Sequence, residues 1–160
     1  MGELDDLRAR VEALRRGYAG LPRDGWGEPG PIDEETGERW DRGHVLGHVA
    51  EMLPFWTAQV RAVVAGGAES MGRDEIGAAQ RRMGIDAGRE AGEDGLLASV
   101  DAGLAGVLTL LGELDHADLE RRVVYQASGG ERETTVRGQL EQTVVGHAEG
   151  HLRQIQELGP

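Results

Sequence analysis

The sequence contains no cysteine, no lysine and no asparagine, so arginine supplies all 17 of its strongly basic side chains. Without cysteine, the protein cannot form a disulfide, bind a metal through a thiolate or attack a substrate with a thiol of its own. Without lysine, it cannot form a Schiff base. Three common kinds of reactive site are therefore excluded before any motif is considered.

Positive charge is also scarce, because the formal net charge is -12 at pH 7. Binding to nucleic acid or to an anionic membrane depends on a concentrated basic face, so we expect neither partner. No basic-then-apolar signal peptide opens the sequence, and no apolar run approaches the roughly 20 residues that cross a bilayer. We expect a soluble cytoplasmic protein that acts on a small molecule.

Two histidines, His147 and His151, lie four residues apart in the stretch 144–155, whose apolar residues repeat at helical spacing. Positions i and i+4 project from the same face of a helix, one turn apart. Counting roughly 100° per residue from Val136 places both imidazoles inside the buried apolar stripe. Two buried imidazoles need two separate partners unless one metal ion serves both, so the pair predicts a metal site.

Such a metal needs a third ligand, and the second helical segment offers His44 and His48. By helical phase, His48 lies on the flank of the apolar stripe beside Met52. His44 is rotated roughly 40° further outward, towards solvent or a neighbouring loop. We therefore predict that His48 joins the pair, and that His116, which has no partner at helical spacing, is a surface residue.

Apolar periodicity predicts four long helices, over residues 3–20, 41–65, 96–114 and from Thr134 or Thr135 to about 158. Pro54 should kink the second helix or cost it a hydrogen bond. A loop rich in glycine and proline follows the first helix, and the glycine-rich residues 66–95 resemble a long connection with a possible short helix at 74–83. Residues 121–133 favour a short hairpin or an irregular loop. The pattern predicts one all-α domain over residues 1–160, a four-helix bundle.

Three segments together resemble the DinB/YfiT-like superfamily over nearly the whole chain: Trp40-x-x-x-x-Val45-Leu46-Gly47-His48-Val49-Ala50, Thr135-Val136-x-x-x-Leu140 and His147-x-x-x-His151-x-x-Gln154-Ile155. The resemblance implies a four-helix bundle that binds a divalent metal, often zinc or nickel. Its ligands would be His48, His147 and His151. The mycothiol-dependent maleylpyruvate isomerase branch has Glu followed by His at the last pair. His147 takes the place of that Glu, so the resemblance does not by itself imply the isomerase activity.

The resemblance further implies a transferase that joins a low-molecular-weight thiol, such as mycothiol or bacillithiol, to an electrophile. With no cysteine or lysine, the protein would take its nucleophile from such a thiol or from water. A metal-dependent hydrolase is a second interpretation, and it requires an inward Glu or Asp as general base. A third is a non-enzymatic metal-dependent module for small-molecule binding or stress response. The fourth is a set of three core histidines without an ion.

The large aromatic residues and the oligomeric state each allow two interpretations. The aromatic residues line either a substrate pocket or the core, with core packing favoured: Trp26, Trp40, Phe55 and Trp56. The protein is either a monomer or a dimer formed through a face of the bundle.

Overall fold

The computed structural model describes residues 2–24, 26–34 and 36–158. Its helical elements are α1 (Glu3–Ala19), α2 (Arg42–Val64), α3 (Glu75–Glu113), α4 (His116–Leu119), α5 (Val136–Gln139), a π-helical segment (Leu140–Val145) and α6 (Gly146–Leu158). Its strands are β1 (Ser70–Gly72), β2 (Arg122–Ala127) and β3 (Gly130–Thr135). The chain is therefore mainly helical, as predicted, with a small sheet that the all-α prediction lacked.

The first helix forms as its apolar spacing predicts. Leu7, Val11, Leu14 and Tyr18 recur at intervals of three and four and are all buried. The Tyr18 hydroxyl donates a hydrogen bond of 2.7 Å to the carbonyl oxygen of Ala148 in α6. The first and last helices are therefore joined by a buried polar contact as well as by apolar packing.

The second helix begins where the sequence predicts, because the Asp41 side chain accepts a hydrogen bond of 2.8 Å from the backbone N–H of His44. This is the usual N-cap arrangement, which satisfies a backbone donor that has no partner inside the helix. The helix continues through Pro54 to Val64. Its start fixes the positions of His44 and His48 relative to the loop that precedes it.

A long loop joins α1 to α2, as predicted. The loop returns on itself at an isolated bridge between Ile32 and Arg39, and the Trp40 backbone N–H donates to the Pro31 carbonyl oxygen at 2.8 Å. These contacts hold Trp40 directly in front of α2.

The long connection predicted over residues 66–95 is wrong from residue 75 onwards, whereas the possible short helix at 74–83 is confirmed as part of α3. Residues 75–113 are helical on both sides of a kink at Gly92, where a φ of 78° and a ψ of 175° interrupt the helix. Glycine ordinarily disfavours a helix interior. Here, however, a side chain at Gly88 would lie 2.7 Å from the Leu96 side chain. Gly92 therefore interrupts the helix, whereas Gly88 allows close packing within a helical stretch.

The small sheet accounts for the other departure from the predicted class. Of the two structures that residues 121–133 favour, a short hairpin and an irregular loop, the hairpin forms, as β2 and β3 with Val124 opposite Glu133. The three-residue β1 pairs in parallel with β2, with Met71 opposite Tyr125. A strand of three residues carries too little alternation to be recognised from sequence.

The π-helical segment lies directly before the His147–His151 pair. A π turn closes its hydrogen bond one residue later than an α turn does, so the segment accommodates about one extra residue. Gly146 is required at its end, because a Cβ there would lie 2.4 Å from the carbonyl oxygen of Glu141. The extra residue rotates α6 by roughly 100° relative to an uninterrupted α-helix.

By length and composition alone, α3 could cross a membrane. It contains an 18-residue window with a mean hydropathy of 1.7, of which 39% is buried. The sequence expectation that no segment is apolar enough was therefore too strong. However, a core helix of a soluble protein passes the same test. The second half of α3 contributes these apolar residues to the core: Leu96, Val100, Leu104, Val107 and Leu111.

Candidate metal centre

The fold brings together the three histidines that the sequence selected. His48 from α2 and His147 and His151 from α6 place one ring nitrogen each within 4.8 Å of one another. We call this group the histidine centre. The Nε2 atoms of His48 and His147 are 3.2 Å apart. Two nitrogens bound tetrahedrally at about 2.0–2.1 Å from one zinc ion would lie roughly 3.3 Å apart, so the observed spacing fits a shared ion.

The rotation of α6 corrects one expectation about this centre. Ala148 and Ile155 occupy the core, whereas His147 is exposed and His151 is half-buried. The prediction that both histidines lie inside the buried stripe is therefore wrong for His147, because it assumes uninterrupted α-helical turns. His48 is 6% exposed. The histidine centre thus lies at the edge of the core, and solvent reaches it on the His147 side.

Hydrogen bonding leaves the ring of His151 ready to bind a metal. Its Nδ1 lies 2.8 Å from the side-chain oxygen of Gln154, an acceptor, so Nδ1 carries the proton and donates. The buried Nε2 of His151 has no hydrogen-bond partner among the described residues and presents its lone pair. The sequence could not assign Gln154 a role, since its direction depends on the exact phase of α6.

The ring of His48 is less well supported by hydrogen bonds than that of His151. Within the described part of the chain, the buried Nδ1 of His48 has no hydrogen-bond partner, and a carboxylate oxygen of Glu51 is 4.0 Å away. Arg73 holds Glu51 in place through two hydrogen bonds of 2.7 and 2.8 Å, and its guanidinium group packs over the Phe55 ring. Glu51 is therefore a fixed negative charge beside His48, just beyond hydrogen-bonding distance.

Electrostatics keeps the three imidazoles neutral, which is the form that binds metals. Burial, with smaller contributions from the neighbouring His151 and Arg81, lowers the pKa of His48 to about 2. The same causes lower the pKa of His147, whose Nε2 faces His48, and burial lowers that of His151. At neutral pH the histidine centre therefore offers neutral nitrogen ligands beside the positive charges of Arg73 and Arg81.

Side chains from the loop before α2 and from the start of α2 lie against the histidine centre. The indole ring of Trp40 stacks on the His151 ring, with centroids 5.6 Å apart and planes 12° apart. Its edge also contacts His44, at a centroid distance of 4.4 Å. His44 is buried and faces Glu38 at 3.6 Å, so of its two predicted surroundings the neighbouring loop is correct and solvent is wrong. Glu38 was not identified from sequence, because nothing in its spacing connects it to His44.

Glu149 and the large aromatic residues other than Trp40 lie elsewhere. Glu149 points away from the histidine centre and forms a two-bond ion pair with Arg10 of α1, both bonds at 2.9 Å. Trp56 is buried in the core, while Phe55 lines a cavity of about 450 Å³ together with Arg73. Trp26 is 37% exposed. The aromatic residues therefore divide between core, cavity and surface.

One further group of possible ligands occurs among the described residues. Glu3, His116 and Glu120 place their ligand atoms within 4.8 Å of one another, and all three are exposed, as predicted for His116. We call this group the surface cluster. Arg137 forms ion pairs with both Glu3 and Glu120. The positively charged guanidinium group of Arg137 therefore already pairs with the two carboxylates.

Comparison with known proteins gives a family match. The family model described as the mycothiol maleylpyruvate isomerase N-terminal domain matches residues 7–149, which is most of the chain. The matched range includes His48 and His147 and ends two residues before His151. No curated protein and no solved structure matches the sequence.

Proposed function

The chain belongs to the mycothiol maleylpyruvate isomerase N-terminal domain family, within the DinB-like superfamily, and from this we propose that it is a metal-dependent thiol S-transferase. The proposed metal is a divalent ion, zinc or nickel, with His48, His147 and His151 as ligands. The proposed co-substrate is a low-molecular-weight thiol such as mycothiol or bacillithiol. The proposed fold is the four-helix bundle of that superfamily, as one cytoplasmic domain.

The observation that carries this proposal is the approach of two neutral imidazole nitrogens to 3.2 Å across two helices. A neutral His48 can donate only through one nitrogen, and the two facing Nε2 atoms can share a single proton at most. A metal ion satisfies both atoms at once, and it also satisfies the buried Nε2 of His151. Three nitrogen ligands leave a coordination position for a substrate atom, which is typical of catalytic rather than structural sites.

A metal held by three neutral ligands keeps its full double charge and lowers the pKa of a thiol or water bound to it. The residues of this chain supply the remaining conditions. Gln154 fixes the protonation of His151, and the guanidinium group of Arg81 adds positive potential that favours an anionic ligand. Because the chain has no cysteine, the thiol must arrive with a second molecule.

The isomerase reaction in the family's name is not part of the proposal. His147 stands at the position where the isomerase branch carries a Glu ligand. Replacing a carboxylate by an imidazole removes one negative charge from the ligand set, so the ion's net charge and its acidity towards bound groups both rise. The family name supports the use of mycothiol but does not fix the reaction.

A direct assay tests the proposal. The tag-free protein is incubated with mycothiol or bacillithiol and a chromogenic electrophile, either loaded with zinc or nickel or stripped with a chelator. We expect conjugation that requires the metal, is lost in His147→Ala and is retained in His116→Ala. Absence of metal-dependent conjugation with both thiols across a panel of electrophiles would contradict it.

Hydrolysis by metal-activated water is a second candidate, because one observation favours it. The sequence showed no inward carboxylate to serve as general base, but the structure places the half-buried Glu38 beside His44, with its Oε2 atom buried. A panel of ester and amide substrates distinguishes the two reactions. Turnover without added thiol, lost in Glu38→Gln, would favour hydrolysis over transfer.

A non-enzymatic metal-dependent binding module makes a different prediction. In that case His147→Ala would weaken retention of a small molecule, and no conjugation or hydrolysis would be found. A homodimer is proposed as the assembly, and sedimentation measurements check it. Neither nucleic acid nor a membrane is proposed as a partner, because the net charge of -12 disfavours both.

A further inference from the structure

A neutral imidazole carries its single proton on either Nδ1 or Nε2, and the two forms of His48 differ in what they can bind. The Nε2 atom of His48 faces the Nε2 atom of His147 at 3.2 Å, inside the histidine centre. His48 can offer this Nε2 to a metal only if its proton lies on Nδ1, the other nitrogen of the ring. The surroundings of Nδ1 therefore decide whether His48 is ready to act as a ligand.

A carboxylate lies beside this Nδ1 atom. Glu51 follows His48 by one turn of α2, and its Oε2 atom is 4.0 Å from Nδ1. Within residues 2–24, 26–34 and 36–158, Nδ1 forms no hydrogen bond, and it is buried. Because no water reaches the atom, the charge of the carboxylate acts on it with little screening.

Two neighbours confine Glu51 at this position. Arg73 donates one hydrogen bond to each carboxylate oxygen, at 2.7 and 2.8 Å. In addition, α3 approaches so closely that a Cβ at Gly84 would lie 2.8 Å from Glu51 Cγ. The side chains of Glu51 and Arg73 are only 12% and 15% exposed. A carboxylate has about four lone-pair sites, so the two bonds from Arg73 leave Oε2 able to accept another.

The charge of Glu51 distinguishes the two forms of the His48 ring. With the proton on Nδ1, the partial positive charge of an N–H group lies beside the carboxylate. With the proton on Nε2, a lone pair lies there instead, and the lone pair and the carboxylate repel each other because both are negative. The first form is therefore favoured, and it leaves the Nε2 lone pair of His48 directed into the histidine centre.

The exposed His147 can move its proton in a way that the buried His48 cannot. In the metal-free protein, a His48 ring protonated on Nδ1 accepts a hydrogen bond from the Nε2–H group of His147 across the 3.2 Å gap. To serve as a ligand through Nε2, His147 has to transfer this proton to its own Nδ1, and water can mediate the transfer because the side chain is exposed. His48 is 6% exposed, so its proton has to be on the correct nitrogen beforehand.

We propose that Glu51 is a positioning residue that keeps the proton of His48 on Nδ1, and that Arg73 holds Glu51 in place for this role. Glu51 thus does for His48 what Gln154 does for His151. The consequence for metal affinity rests on the proposed function. The position of the proton does not, because it is a property of the metal-free protein.

Nitrogen NMR of the metal-free protein measures the position of this proton directly. Ring nitrogens with and without a proton resonate far apart, so labelling the histidine nitrogens of tag-free protein shows which nitrogen of each ring is protonated. The spectra are recorded at a pH of about 8, where the rings are neutral. His48→Ala and His147→Ala assign the signals by loss. In the wild type, we expect the proton of His48 on Nδ1 and that of His147 on Nε2.

A variant then removes the carboxylate. Glu51→Met deletes both the charge and the acceptor and keeps the length of the side chain. The proton of His48 should move to Nε2, where His147 can accept it, and zinc affinity should fall about 10- to 100-fold, as is typical when a group that orients a metal ligand is lost.

Glu113→Met is the matched control for this variant. Glu113 also accepts two hydrogen bonds from an arginine, Arg61, which lies thirteen residues after His48, roughly 20 Å along α2. The control should keep the proton of His48 on Nδ1 and should keep the wild-type zinc affinity.

The outcomes separate this inference from the proposed function. A proton on Nε2 of His48 in the wild type would overturn the role of Glu51, and this result needs no variant to fold. A proton that stays on Nδ1 in folded Glu51→Met would overturn it as well. Failure of the wild type to bind zinc would contradict the proposed function alone, since the spectra of the metal-free protein would still support or overturn the role of Glu51.

Discussion

The histidine centre and the surface cluster are alike in that each gathers three possible ligand atoms within 4.8 Å. They differ in what surrounds those atoms. At the surface cluster, Arg137 already pairs with both carboxylates, and water solvates the rest. At the histidine centre, two ring nitrogens face each other at 3.2 Å, and two more are buried with no hydrogen-bond partner in the part of the chain that the structure describes. Proximity of ligand atoms therefore does not define a metal site, whereas unmet bonding capacity in a buried setting does.

The largest expected effect is on thermal stability. A ligand at 100 times its dissociation constant stabilises the folded state by about 2.7 kcal/mol, so zinc should raise the Tm of a 160-residue protein by about 5–10 °C. We expect this shift in the wild type and in Glu3→Gln/Glu120→Gln, but not in His147→Ala/His151→Ala. Differential scanning fluorimetry measures it. A shift that followed the surface cluster would reverse the comparison.

The next effect concerns the hydrogen bond between Gln154 and His151. Because Gln154 accepts the Nδ1 proton of His151, Gln154→Leu should weaken zinc binding by about 10- to 100-fold without removing a ligand. The exposed Gln156 provides the matched control, Gln156→Leu. Competition with a chromogenic chelator gives the affinities. Equal affinities in the two variants would mean that this hydrogen bond does not orient the ligand.

Replacing Arg137 tests whether this residue alone prevents metal binding at the surface cluster. Arg137→Met should lower the free energy of unfolding by about 0.5–1 kcal/mol, because the lost ion pairs are exposed. In the His147→Ala/His151→Ala background it should not restore a zinc-dependent rise in Tm, since three exposed side chains must still be ordered. Urea denaturation and fluorimetry check the two expectations. A restored shift would show that charge, rather than burial, separates the two groups.

The smallest effect is that of another exposed ion pair, which sets the scale for the surface cluster. The hydrogen bond from Arg15 holds the pKa of Asp101 below its ordinary value. A carboxyl whose folded-state pKa is lowered stabilises the protein above its unfolded pKa, about 3.9, and loses that contribution as the pH falls. Arg15→Met should therefore lower the urea midpoint slightly at pH 6, and the difference should shrink by pH 3. A difference that stays constant over this range would point to packing instead of charge.

Much of the histidine centre could be predicted from sequence, because side-chain spacing within one helix is local information. The i, i+4 spacing of His147 and His151, together with the helical phase of His48, was sufficient to predict that the three side chains meet. The exposure of His147 was not predictable in the same way, because it depends on the π-helical segment over Leu140–Val145. That irregularity depends on packing between helices, which a count of 100° per residue does not include.

The other features that sequence reasoning did not predict have one physical cause. Residues 75–95 look like a loop because they are rich in glycine, yet they are helical where α3 packs closely against its neighbours. Glu38 and Gln154 acquire their contacts only when a loop and a rotated helix meet the histidines. Features that depend on contact between distant segments were therefore hidden from the sequence, while features set within one element were visible.

The most direct test of a metal centre built from α2 and α6 is the zinc content of tag-free protein after dialysis, for the wild type and single histidine variants. We expect one zinc per chain in the wild type and in His116→Ala, and less than a tenth of that in His48→Ala, His147→Ala and His151→Ala. The result for His48→Ala matters most, because His48 is the ligand from the other helix. Full zinc retention in that variant would contradict a centre shared between the two helices.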